Sequence, residues 1–234
     1  MSTPCIDFHA HILPDVDHGS YSLLETMQQL EIIRKAEVDT VVATPHFYPN
    51  AISTDVFLHR VDQAVSRLLE RDMKLPNLAL GAEVLYCEKL EQMQDLDRLC
   101  IRGTDILLLE LPMAHWSSSL FYSVESLCKR YTVVLAHIDR YVRHQKSDIE
   151  ILLDLGALAQ VNGYAFSSYF TRRKMRTFWE DERIVALGSD LHRLNQKAYD
   201  LFCEAPLRLG ETYDTIMQRT QKLLQHAELV SREN

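Results

Sequence analysis

The chain contains no stretch of about 18 uninterrupted apolar residues, so no membrane span is expected. Its opening, MSTPCIDFHAH, lacks the basic start and apolar core of a secretory signal, which points to a cytoplasmic protein. No two of the five cysteines, Cys5, Cys87, Cys100, Cys128 and Cys203, form a CxxC pair. An odd, scattered set argues against a disulfide frame and reads as reduced thiols. Positive charge is short as well: 25 Lys and Arg face 33 Asp and Glu, a formal −8. That balance argues against broad electrostatic binding of nucleic acid. It leaves room for a phosphorylated substrate, because bound divalent cations lie outside the count and reverse a local field. Low-complexity tracts, long Gly/Pro/Ser linkers and clear repeats are also missing. With 47% apolar and 25% charged residues, the 234-residue chain has the balance of a soluble globular protein. One domain spanning 1–234 is expected, a size that single α/β barrels reach.

What is present is an alternation. Short apolar runs (CIDFHA, TVVATPH, LALGAEV, DILLLEL, TVVLAHI, ALAQVNG and IVALGSD) are separated by longer amphipathic segments. The helical candidates include SLLETMQQLEIIRKAEV, DVFLHRVDQAVSRLLERD, SSSLFYSVESLCKRY, IEILLDLG and the stretch from Glu211 to Leu229. Leu58, Val61, Val65, Leu68 and Leu69 show the spacing that puts apolar residues on one helical face. Strands that alternate with helices imply a parallel sheet, since a parallel return needs a crossover. Seven such units, closed up, predict a barrel one unit short of (β/α)8; an open doubly wound sheet is the alternative.

The ends of these runs hold the chemistry. The first brings His9 and His11, with His18 in the loop beyond. The next four bring His46, then Glu83, then Glu110, then His137 with Arg140. The seventh ends in Asp190 and His192, whereas ALAQVNG offers no obvious ligand. Barrel strands present their C-terminal ends at one rim, where such folds keep their active sites. His9 and His11, at i and i+2, point to the same face of a strand. Taken singly, each residue has a plain reading: His46 as a core histidine, Glu83 as a helix cap, Asp190 as an N-cap. Their joint placement after successive strands favours metal. A nitrogen and carboxylate donor set suits Zn, Mn or Fe and does not choose among them. Nine donors exceed one ion and suit a cluster of two or three divalent metals.

HAH, TPH, GAE, LELP, AHIDR and SDLH, in this order over residues 7–192, resemble the PHP (polymerase and histidinol phosphatase) superfamily. Within it, IDFHAHILPDVDHG, LLLELP and the AHxxR pattern are similar to the bacterial capsule-regulating tyrosine phosphatases of the CpsB/YwqE type. The resemblance implies a distorted (β/α)7 barrel with a metal cluster at the C-terminal rim of the strands. It assigns His9, His11, Glu83 and Asp190 to one ion, and Glu83, Glu110 and His137 to a second. A third would take His18, His46 and His192, and Arg140 would bind the substrate phosphate. The chain departs from the branch at Asp17-His18-Gly19, where DDG is usual, and at AHIDR in place of AHPER. Asp17 is therefore a possible substitute for His18, while Asp7 is expected to support a metal-bound histidine.

The implied activity is phosphomonoester hydrolysis by a hydroxide bridging the metals, without a cysteinyl-phosphate intermediate. Arg140 and His46 are the catalytic candidates, His46 as a proton donor to the leaving phenolate. The aromatic and basic segment GYAFSSYFTRRKMRTFW reads either as a helix with a solvated basic face or as a substrate-facing loop whose Arg172, Arg173 and Lys174 attract a phosphopeptide. Phe47 and Tyr48 either flank a phenyl ring or pack the loop. The implied partner is a phosphotyrosine protein, the tyrosine-rich tail of a bacterial kinase that controls polysaccharide export. The rival readings are a histidinol-phosphate or other small-molecule phosphatase, a nuclease of the same superfamily, and a metal-binding scaffold without turnover.

Overall fold

The computed structural model describes residues 3–71, 74–143 and 145–230. The apolar runs form strands β1 (Ile6–Ala10), β2 (Thr40–Ala43), β3 (His46–Phe47), β4 (Asn77–Leu80), β5 (Glu83–Leu85), β6 (Ile106–Glu110), β7 (Thr132–Leu135), β8 (Leu158–Asn162) and β9 (Ile184–Gly188). The second and third runs are each broken in two. Pro45, between β2 and β3, has no N–H for a ladder. At Gly81, between β4 and β5, the backbone lies so close to Ile101 that a Cβ would meet its Cγ1 at 3.0 Å.

All ladders are parallel, in the orders β1-β2-β4 and β3-β5-β6-β7-β8-β9. Because β3 continues β2 and β5 continues β4, the two sheets form one curved wall of seven runs. The wall comes back on itself between β9 and β1, where an isolated Ala10–Leu191 bridge replaces a regular ladder. Asp190 N–H donates to the His9 carbonyl at 2.8 Å and His11 N–H to the Leu191 carbonyl at 3.0 Å. Beneath them the Asp7 carboxylate accepts from Ser189 N–H at 2.8 Å and from its hydroxyl at 2.6 Å. The architecture is the expected distorted (β/α)7 barrel, its irregular seam lying under the first pair of histidines.

The crossovers are α1 (Leu23–Lys35), α2 (Thr54–Leu69), α3 (Ser118–Cys128), α4 (Lys146–Asp154) and α5 (Tyr169–Met175), followed by α6 (Gln196–Cys203), α7 (Ala205–Leu209) and α8 (Glu211–Leu223). Ser22 caps α1 by accepting from Glu25 N–H, and the Glu25 carboxylate accepts from Tyr21 N–H in return. Ser53 caps α2 in the same way through Val56 N–H. The expected second helix ran to Asp72, which lies outside the described residues; α2 ends at Leu69.

Strand side chains alternate between two clusters. Val41, Ala43, Leu78, Leu80, Leu107 and Leu109 belong to the large cluster shared with the helices. Val42, Ala79, Leu108 and Val134 belong to a smaller one with Phe8. Burial on both faces explains why these runs read as nearly continuous hydrophobic stretches. The helix expected from Glu211 to Leu229 stops at Leu223. Beyond it Glu228 N–H donates to the Arg102 carbonyl and Val230 N–H to the Leu78 carbonyl. Leu223, Leu224 and Ala227 pack against the smaller cluster, at the end of the barrel opposite the histidines. Among the described residues no helix is long and apolar enough to cross a membrane.

Candidate metal centre

The topology gathers the strand ends at one rim. His9 lies in β1 and His11 just past it; His46 opens β3, Glu83 opens β5 and Glu110 closes β6. His137 and Asp190 follow β7 and β9, and both have left-handed backbones, at φ 35° and 52°. Such conformations are costly away from glycine and occur where a side chain must be turned toward a site.

Glu83 is the focus. Its Oε2 lies 2.8 Å from His46 Nδ1, 3.2 Å from His11 Nε2 and 3.3 Å from His9 Nε2. Its Oε1 lies 2.7 Å from His137 Nε2. Glu110 stands farther off, 3.7 Å from both His46 Nδ1 and His137 Nε2. Asp190 Oδ1 lies 3.2 Å from His192 Nδ1, 3.4 Å from His11 Nε2 and 3.7 Å from His9 Nε2. Imidazole nitrogens also face one another: His9 Nε2 and His11 Nε2 at 3.0 Å, His46 Nε2 and His192 Nε2 at 3.3 Å.

Three groups of donors draw together, each within 4.8 Å: His9 with His11 and Asp190; His46 with Glu83 and Glu110; His11 with His46 and His192. The first holds three of the four residues expected together, without Glu83, and in the second His46 stands where His137 was expected. In the last, His11 takes the place expected for His18, whose ring stacks on His46 with centroids 4.8 Å apart and planes 6° apart. His18 thus lies beside the cluster, and the loop from His11 to Ser22 decides how far its nitrogens reach into it.

The electrostatics suit cations. Burial pushes the Glu83 carboxyl up, but the His9 charge and the close imidazoles of His11, His137 and His46 outweigh it and hold the pKa well below the usual range. Asp190 is held low in the same way, by His9 first and then by His11, His192 and Arg140. Burial, reinforced by Arg140, lowers His137 to about 4 despite its bond to Glu83, which keeps that imidazole neutral and able to ligate. Glu83 Oε2, Asp190 Oδ1, His46 Nδ1 and His137 Nδ1 are buried and have no hydrogen-bond partner. Unpaired carboxylate oxygens facing imidazole lone pairs are what a divalent cation satisfies, and the donor set present fits such ions.

The surrounding residues differ from expectation in three respects. Asp17 fills a role other than that of a substitute ligand. Its Oδ2 accepts from His11 Nδ1 at 2.7 Å and from His46 N–H at 2.8 Å, and its Oδ1 accepts from Gly19 N–H at 2.8 Å. Among the described residues Asp7 meets no imidazole; besides Ser189 it accepts only from His9 N–H, at 3.4 Å. The silent run ALAQVNG, in turn, supplies Gln160 and Asn162. Gln160 Oε1 accepts from His137 N–H at 2.7 Å and lies 3.2 Å from His9 Nδ1. Gln160 Nε2 donates to Asn162 Oδ1 at 2.7 Å, and Asn162 Nδ2 donates to Asp190 Oδ2 at 2.9 Å. Their one sequence signal is the same i, i+2 spacing of polar residues in an apolar strand that marks His9 and His11.

Arg140 closes the last turn after β7. Its Nη2 pairs with Asp190 Oδ2, its Nη1 lies 3.7 Å from Glu110 Oε1, and 38% of its side chain is open to solvent. Tyr48 stacks on His46 at 5.4 Å between centroids, while Phe47 is buried against Phe57 and packs the core. Arg172, Arg173 and Lys174 are exposed on α5 and make no ion pair with the cluster.

The chain is similar to known proteins in both sequence and fold. The family model for capsular polysaccharide synthesis, CpsB/CapC, matches residues 5–225. The tyrosine-protein phosphatase CpsB of Streptococcus pneumoniae is 27% identical over 221 residues, covering 85% of this chain and 90% of its own. The tyrosine-protein phosphatase YwqE of Bacillus subtilis is 26% identical over 206 residues, covering 83% and 80%. A solved structure from work on YwqE of Bacillus subtilis and CpsB of Streptococcus pneumoniae, described as metal-dependent tyrosine phosphatases, superposes with a TM-score of 0.76. It is 22% identical and covers 97% of this chain and all of its own.

Proposed function

The chain belongs to the CpsB/CapC family of capsular polysaccharide synthesis, and from that footing we propose that it is a metal-dependent protein-tyrosine phosphatase. The observation that carries the reading is the convergence of buried, unpartnered carboxylate and imidazole atoms on Glu83 and Asp190, with a part-exposed guanidinium at their edge. In this reading His9, His11, Glu83 and Asp190 hold one ion, and Glu83, Glu110 and His137 a second. His18, His46 and His192 would hold a third, because His11 serves the first ion through Nε2 and its Nδ1 is taken by Asp17. Bound divalent ions supply Lewis acidity and a hydroxide nucleophile at neutral pH.

The residues of the chain do the rest. Arg140 grips the non-bridging phosphate oxygens, because its fork of N–H groups matches them in pairs. Asn162 and Gln160 keep Asp190, His9 and His137 aimed while charge changes around them. Tyr48, parallel to the His46 ring, offers a flat apolar wall for a phenyl ring. Both nitrogens of His46 already face other donors, Glu83 on one side and His192 on the other, which favours ligation over proton donation. A phenolate, whose conjugate acid has a pKa of about 10, leaves with less help from an acid than an alkoxide does. A site without a free acid therefore suits aryl phosphates.

The same reading makes the chain one cytoplasmic phosphatase domain acting on phosphotyrosine proteins, such as the tyrosine-rich tail of a bacterial kinase. The test is a panel assay on metal-loaded protein with elemental analysis alongside. Phosphotyrosine peptide is expected to turn over faster than histidinol phosphate, with two or three divalent ions bound per chain. Faster hydrolysis of histidinol phosphate, or bound metal with no hydrolysis of any phosphoester, would overturn the reading.

A further inference from the structure

The segment that follows β8 builds a second feature. A groove of about 840 Å³ lies between α5, the turn after it and α7. Arg172, Arg173, Arg176 and Arg208 line it together with Tyr169 and Trp179. Phe166 stacks on Trp179 with centroids 5.6 Å apart and planes 16° apart, which gives the groove a flat aromatic floor. Arg208 is paired with Glu204 at 2.8 Å. Arg172, Arg173 and Arg176 are exposed and have no ion-pair partner among the described residues. In a chain of net charge −8, three unpaired guanidiniums on one concave surface form a local exception. Exposed charges more than about 8 Å away are screened at physiological salt, so a bound segment experiences the groove and not the chain's overall charge.

We infer that this groove holds an acidic segment of the phosphoprotein substrate, distinct from the phosphoester that is hydrolysed, with Tyr169 and Trp179 taking an aromatic side chain of that segment. The inference rests on the tyrosine-phosphatase reading above. Arginines that stack as well as pair suit anions on a chain carrying aromatic residues. The groove is also fixed to the metal rim. Asn162, which bonds Asp190, begins the same segment, and the Arg143 guanidinium, just beyond Arg140, donates to Ser168 Oγ and Thr171 Oγ1, both at 2.8 Å. A peptide in the groove is therefore held in register with the mouth of the metal centre. Lys174, on the outer side of α5, does not line the groove. A membrane surface is the rival occupant, since Tyr169 and Phe170 stand exposed beside the arginines, but Trp179 and Arg208 on the far side of the groove give it the concave lining of a peptide site.

The test compares three phosphotyrosine peptides, flanked by glutamate, by a second phosphotyrosine or by alanine. Each kcat/KM is normalised to p-nitrophenyl phosphate turnover by the same protein. The wild type is expected to favour the two anionic peptides by about tenfold, the sum of a few exposed ion pairs. The relative rates of those two peptides tell carboxylate from phosphate as the preferred anion. Arg172→Glu combined with Arg176→Glu is expected to erase the preference, and Lys174→Glu, which makes the same kind of charge change outside the groove, is expected to keep it. Fluorescence anisotropy of an unphosphorylated acidic peptide reads the groove without turnover, so a protein that hydrolyses nothing but binds this peptide separates the two readings. Equal rates on all three peptides, or a preference that survives the double reversal, would overturn the inference. So would binding of phosphatidylserine vesicles that the double reversal abolishes while peptide selectivity stays.

Discussion

Asp17 fixes three groups with one carboxylate: the His11 ring, the His46 backbone and the turn at Gly19. Removing it leaves both histidines in the chain but frees their orientation. Asp17→Ala is expected to weaken metal binding about 10- to 100-fold, as read by calorimetric titration; unchanged affinity would show that the bond does no positioning. The thiols support a second prediction at this scale. Burial raises all five above the ordinary value of 9.0, Cys100 to about 12 and Cys128 and Cys203 to about 11. None supplies a thiolate near neutral pH, and labelling by iodoacetamide should accelerate about tenfold per pH unit from 7 to 10. Alkylation at pH 7.5 should leave turnover intact, whereas inactivation in step with labelling would restore a cysteine nucleophile. The candidate donors were legible because His, Glu and Asp rarely end apolar runs without a reason. Gln160 and Asn162 were not, since an uncharged amide in an apolar strand looks the same whether it faces solvent or orients an imidazole. The exchange of His11 for His18 depends on loop shape, which no spacing encodes.

At the level of elements, the strands were readable from alternation, and most helices from apolar spacing. The breaks at Pro45 and Gly81 change the ladder pattern but not the order of the runs, so the rim was readable as well. The end of α8 was not: its cause is remote, in the Leu78 and Arg102 carbonyls that the chain turns aside to meet. The seam between β9 and β1 is the most exacting element contact. A Cβ on Gly188 would meet His9 Cβ at 2.6 Å and Gln160 Nε2 at 2.7 Å. Neither neighbour can yield without moving a candidate donor or its support. Gly188→Ala is therefore expected to cost about 1–3 kcal/mol in urea denaturation and to lower phosphatase activity more than stability alone explains. A variant that keeps both would mean that the seam has slack the close approach denies.

At the scale of the whole molecule, the donor cluster is a liability that ions convert into stability. Glu83 and Asp190 lie buried among imidazoles, and several of their neighbouring atoms have no partner of their own. The unfolded chain cannot present these groups together, because His11 and His192 meet only through the closure of the barrel, so the ions bind the folded state selectively. At a free metal concentration about 100 times Kd, such binding adds about 2.7 kcal/mol. For a chain of this length, about 1 kcal/mol moves Tm by about 2–4 °C, which gives a shift of about 5–10 °C. Thermal melts of protein stripped by chelator and then reloaded with manganese or zinc should show that rise. In His9→Ala, which removes one donor of the first group, most of it should vanish while the stripped variant still melts cooperatively. If the stripped and loaded wild type melt together, these donors do not hold ions in the folded chain, and the phosphatase reading loses its physical basis. A shift that survives in His9→Ala would place the stabilising ion elsewhere on the rim, with Glu83, Glu110 and His137 the next donors to vary.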